Sequence, residues 1–158
     1  MRQLGLPFTQ CMVDPTDRSE RFELIAGCDE ATLARFANEV LETDPPLSVR
    51  QDPRPQLLMQ QVVEPVEHRP FNLGEVVVTP AAVELDGRRG FAMIPGKAER
   101  AALSGAIVDA AVAGDHPVTD DVLTALERVA ADREAQRAQA WAESKHTTVD
   151  FETMEDEQ

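Results

Sequence analysis

The dipeptide Asp86-Gly87 constrains this chain more than any other feature. It sits between two strand-like runs. One begins at Phe71-Asn72-Leu73-Gly74-Glu75-Val76-Val77-Val78-Thr79 and runs on to Val83-Glu84-Leu85; the other is Arg88-Arg89-Gly90-Phe91-Ala92-Met93. A two-residue turn of the primed type needs positive φ at both central positions, and Asp-Gly supplies it. The segment is therefore expected to be an antiparallel hairpin. Val76 and Val78 should share one face of its first strand, with Val77 on the other.

Helical periodicity flanks this hairpin. Asp14-Pro15 is expected to open a first helix, as an acidic cap before a proline at the first helical position, with Asp17 in the first turn. Phe22, Ile25 and Ala26 would form its apolar face, and Gly27 would stop it. Asp29 should cap a second helix, in which Leu33, Phe36, Ala37, Val40 and Leu41 follow helical spacing. Pro45, Pro46, Pro53 and Pro55 then punctuate an extended stretch around Leu47-Ser48-Val49. Gln56 to Val63 reads as a strand, and Pro65 and Pro70 bound a loop holding His68. After Pro95-Gly96 a helix is expected from Lys97 to Ala113, rich in small residues. Thr119 should cap a last helix running towards Trp141. The expected fold is α+β. It has an N-terminal helical hairpin, a mostly antiparallel sheet of about three or four strands, two C-terminal helices and an extended tail. Residues 1–158 are expected to form one domain, with 1–13 and 155–158 as flexible ends.

Composition narrows the class of partners. Acids outnumber bases 29 to 15, for a net charge of −14, and the only lysines are Lys97 and Lys145. The basic footprint of a nucleic-acid binder is absent. Dense carboxylate with scarce lysine points to a salt-rich, halophilic cytoplasm in which screening removes most self-repulsion. An acidic nucleic-acid mimic or inhibitor is the remote alternative. Cys11 and Cys28 form no CxxC, so two free thiols are expected. No run approaches the ~20 apolar residues of a membrane span. A cytoplasmic protein with no membrane contact is the expectation.

No residue pattern announces a chemistry. Gly96-Lys97 fails as a phosphate loop, because Gly90 stands one residue too far back and Ala98 replaces the magnesium-binding hydroxyl. The three histidines have no ligand spacing, and no serine elbow appears. Glu75, Arg88 and Arg89 are the only weak candidates for catalytic groups. No metal ligand and no cofactor site is expected on this chain alone.

Residues from Asp17 to Met154 resemble the PhnG family, a component of the bacterial carbon–phosphorus lyase core complex. The marks are Arg21, Leu24 and Ala26 in the first helix, Phe71-Asn72-Leu73-Gly74-Glu75, and the Val83–Gly90 hairpin. Ala106-Ile107-Val108-Asp109-Ala110 and the closing Val149-Asp150-Phe151-Glu152-Thr153-Met154 complete them. The resemblance implies a hetero-oligomer with PhnH, PhnI and PhnJ, and with PhnL-like subunits. In it the adenine of MgATP is exchanged for a phosphonate, giving a ribose 1-phosphonate 5-triphosphate. MgATP would be a substrate of the complex and not a cofactor of this chain. The family supplies no catalytic residue to carry over. Two readings follow. One is a non-catalytic scaffolding subunit that binds partners through Phe71, Asn72, Gly74 and Glu75 and through Asp150, Phe151, Thr153 and Met154 of the tail. The other is a subunit that lends Glu75, Arg88 or Arg89 to an active site at an interface.

Overall fold

A computed structural model describes residues 13–144. The element order is α1 (Arg18–Gly27), α2 (Glu30–Leu41), β1 (Leu47–Gln51), β2 (Gln56–Val63), β3 (Pro70–Leu85), β4 (Arg88–Pro95), α3 (Glu99–Ala113) and α4 (Thr119–Ser144). The fold is α+β, with an antiparallel four-stranded sheet built on β3. Asp86 and Gly87 both take positive φ, 46° and 74°, as the hairpin reading requires. Leu85 pairs with Arg88 across that turn.

β3 is the spine of the sheet. Along one side it pairs first with β2, from Pro70 to Val78, and then with β1, from Ala82 to Leu85. β1 and β2 thus lie end to end in one lane, separated by Asp52-Pro53-Arg54-Pro55. β4 occupies the opposite lane, from Val78 to Leu85. The inner half of β3 is buried, with Ala81, Val83 and Leu85 under the helices. Its outer half, with β2, leaves the body as a two-stranded ribbon.

The core lies between the inner sheet and the helices. Leu24, Ile25, Leu33, Phe36 and Val40 from α1 and α2 meet Ala102, Ala106, Ile107 and Ala110 of α3. Small residues let α3 come close to β4. A methyl placed on Gly90 would stand 1.9 Å from the Ala106 carbonyl oxygen. Thr79 anchors the root of the ribbon. Its hydroxyl donates to the Gly96 carbonyl at 2.7 Å and accepts the Ala98 N–H at 3.1 Å, and the side chain is fully buried. One group thereby ties β3, the end of β4 and the start of α3.

Three local expectations change. Asp17, not Asp14, caps α1, accepting from the N–H groups of Ser19 and Glu20. The Pro15 and Thr16 carbonyls accept from Arg21, which holds those residues in a turn ahead of the helix. Asp14 accepts from Thr16 within that turn. The inward face of α1 is Arg21, Leu24 and Ile25, with Phe22 and Ala26 only half-buried. Phe22 instead stacks on Phe91, ring centroids 5.8 Å apart. Thr119 does not cap α4, because its hydroxyl makes no hydrogen bond among the described residues. His116 does that work through Nδ1, which accepts the Val118 N–H at 3.3 Å.

Candidate interaction arm

The β2–β3 ribbon is the part of this molecule that a stable free domain does not explain. Its strands show large apolar side chains on both faces. Leu57 is 61% exposed, Leu73 60% and Phe71 47%, and Leu58, Met59, Val63, Val76 and Val77 are exposed as well. A two-stranded ribbon without a packed face is marginal in water, and an apolar patch this continuous makes the ribbon a candidate interaction site. Pairing of Met59 with Glu75, Leu57 with Val77 and Leu58 with Val76 sets the faces. The register shifts between Gln60 and Gln61, so that Gln60 faces Gly74 and Gln61 faces Asn72, leaving Leu73 as a bulge. Gly74, at φ 154°, permits that bend. The tip is a turn in which the Glu64 carboxylate accepts from the N–H groups of Val66 and Glu67.

Phe71, Asn72, Gly74 and Glu75 therefore fall together on the ribbon. Asp150, Phe151, Thr153 and Met154 lie outside the described residues. Glu75 is not brought to Arg88 and Arg89. Those arginines pair opposite Leu85 and Glu84 at the far end of β3, roughly 30 Å from Glu75 along a strand that rises about 3.3 Å per residue. The three side chains cannot act on one small substrate within this chain. Arg88 lines a cavity of about 460 Å³ with Thr43, Asp86 and His116. Glu84, across from Arg89, is held by Arg50 at 2.8 Å.

Sequence reasoning overlooked one buried polar cluster. Arg21 Nε donates to Asp109 Oδ1, and Asp109 Oδ2 accepts the Phe91 N–H at 3.0 Å. Both charged side chains are almost wholly buried. Arg21 and Asp109 carry marks of the resemblance, yet nothing in their spacing links them. Asp109 also meets the exposed Arg18 guanidinium at 3.5 Å, beside a cavity lined by Phe22 and Phe91; with α1, α3 and β4 all joined through it, we read the cluster as structural.

The remaining titratable groups fit local roles. Burial, and then the neighbouring Asp29 charge, push the Cys28 thiol up, away from the thiolate a nucleophile needs. The backbone N–H of Thr32 holds Asp29 below its usual range, as a helix cap should. Thr16 does the same for Asp14. Among the described residues no three His, Cys, Asp or Glu side chains cluster as a metal site would. No helix among them is long and apolar enough to cross a membrane.

Comparison with curated proteins gives no match. The family model described as phosphonate metabolism protein PhnG matches residues 16–155, which takes in every helix and strand described above. That match spans far more than half of the chain: the chain belongs to the PhnG family.

Proposed function

We propose that this chain is a non-catalytic scaffolding subunit of the carbon–phosphorus lyase core complex. In this reading it supports MgATP-dependent formation of a ribose 1-phosphonate 5-triphosphate during phosphonate breakdown. It engages PhnI or another core subunit, within an assembly that also holds PhnH and PhnJ. The observation that carries the reading is the β2–β3 ribbon, whose apolar side chains have no covering partner among the described residues. Each Leu, Val, Met or Phe buried there contributes roughly 1.5–3 kcal/mol, part of which offsets the loss of freedom on association.

Two measurements test it. The purified chain, incubated with MgATP and methylphosphonate, should release no adenine above background. The double variant Leu58→Ser/Val76→Ser should retain its fold and lose co-purification with PhnI. Adenine release at the rate of the full complex, or a double variant that assembles as the parent does, would overturn the scaffolding role.

A second reading rests on Arg88. It stands exposed beside the cavity shared with Asp86 and His116, in the position of a group offered to a neighbour. Arg88→Ala separates the two readings. Intact assembly with collapsed turnover would make Arg88 part of an interfacial active site.

A further inference from the structure

The sheet presents three edges, and the chain treats them differently. The outer edge of β4 is closed by side chains. Asp109 accepts the Phe91 N–H there, and the Arg18 guanidinium donates to the Arg89 carbonyl at 3.3 Å. The outer edge of β1 carries Arg50 and ends at Asp52-Pro53-Arg54-Pro55, while that of β2, from Gln56 to Val63, holds neither charge nor proline. Charges and prolines of this kind keep an edge from pairing with another chain.

The third edge holds one charge, Glu75, and differs from the β2 edge in being a lane that this chain already half fills. It is the side of β3 along Phe71–Val77 that faces away from β2. β4 fills this lane only as far as Pro95, opposite Val78. The backbone then turns away through Gly96, at φ 81°, into α3. Main-chain direction fixes what the empty lane meets. The Gly96 N–H donates to the Val77 carbonyl at 2.8 Å, so the polar groups of Val77 face this side. N–H and C=O groups alternate between edges along a strand, so those of Glu75 face it too. Among the described residues no strand pairs with them there.

We propose that this lane is a strand-addition site, filled by an extended, uncharged and mainly apolar segment of the partner subunit. The proposal rests on the ribbon being the docking arm and adds how it docks. The added strand continues the line of β4, bonds to the main chain at Glu75, and lays its side chains alternately beside those of the two ribbon faces. Charge sets its composition. Gln56–Val63 and Pro70–Thr79 hold one ionisable side chain, Glu75, in a chain of net charge −14. A basic segment is drawn to the acidic body instead, and an acidic one is repelled by it.

The test is residue-resolved hydrogen exchange on the parent chain, free and co-purified with PhnI. The Glu75 amide should exchange freely in the free chain and slow by about a hundredfold or more in the complex. The Val76 amide, which faces β2, should change far less. A second arm compares Glu75→Gln, which keeps the N–H, with Glu75→Pro, which removes it. Glu75→Gln, whatever its side chain contributes, should retain assembly that Glu75→Pro loses. Where Glu75→Pro alters the circular dichroism of the free chain, the exchange result alone decides. A Glu75 amide that stays fast in a formed complex overturns strand addition. So does one already protected in the free chain, since the lane is then filled by this chain's own residues or a second copy. Those results leave the docking arm standing if Leu58→Ser/Val76→Ser still abolishes assembly. If that double variant assembles normally, the docking arm itself has failed, and strand addition with it.

Discussion

Arg21 Nε donates to Asp109 Oδ1 across 2.8 Å, joining α1 to α3 over 88 positions of sequence. Both groups are out of water, so removal of Asp109 leaves Arg21 without its counter-charge, and removal of Arg21 leaves Asp109 only the exposed Arg18 at 3.5 Å. Arg21→Met and Asp109→Ala should each destabilise by about 3–5 kcal/mol. The pair Arg21→Met/Asp109→Leu should recover a large part of that loss. Urea unfolding of the three variants checks it, and a double variant as weak as the sum of the singles would contradict it.

Gly90 should tolerate no side chain. An added methyl would meet the Ala106 carbonyl oxygen and, at 2.5 Å, the Ala110 nitrogen, both of them α3 backbone. Gly90→Ala is expected to destabilise by about 3 kcal/mol. Gly87→Ala faces open space and only the strain of its positive φ, for a loss of about 1–2 kcal/mol. The order of the two midpoints in denaturant is the measurement.

Acid should weaken the cap of α2. The folded pKa of Asp29 lies below its ordinary 3.8 because Thr32 donates to the carboxylate. Its contribution is therefore fully present above that value and falls away as pH drops through the folded pKa. Asp29→Ala should be about 1 kcal/mol less stable than the parent near neutrality. The gap should narrow below pH 3.8. A gap of constant size across an acid titration of the unfolding midpoint would argue against the cap.

Salt should stabilise the chain. With a net charge of −14, self-repulsion reaches about 10 Å in 0.1 M salt and about 3 Å in 1 M. The thermal midpoint should rise between those KCl concentrations. A flat or falling midpoint would remove the case for a salt-rich habitat.

What the residues disclosed on their own follows from local physics. Asp86-Gly87 announced the hairpin because few other dipeptides take two positive φ values in succession. The spacing of Leu33, Phe36, Ala37 and Val40 announced α2 because only a helix puts all four on one face. The buried Arg21–Asp109 pair was hidden, since a lone charge reads as surface until its partner is brought to it. Asp14 was an equally good cap on paper; the turn held by Arg21 decided for Asp17. The ribbon was hidden for a different reason. Leu57-Leu58-Met59 is an apolar run without alternation, the pattern of a strand buried on both faces. Exposure on both faces leaves the same pattern when the burial is supplied from outside. Of the site, Phe71 to Glu75 were singled out by resemblance, while Leu57, Leu58 and Met59 opposite them were read only as strand.

The Thr79 hydroxyl has a consequence at the other end of the ribbon. From Thr79 to Pro70, where β3 begins, is nine residues, or roughly 30 Å of lever. A tilt of about 10° at the root swings that end by about 5 Å, more than the length of a hydrogen bond. The direction of the ribbon is thus set by a group that is wholly buried at its root. Thr79→Val, nearly the same in shape, unhooks Gly96 and Ala98 from that pivot and trades one direction for a cone of them. The exposed apolar side chains of the ribbon are unaltered, and only their direction is lost.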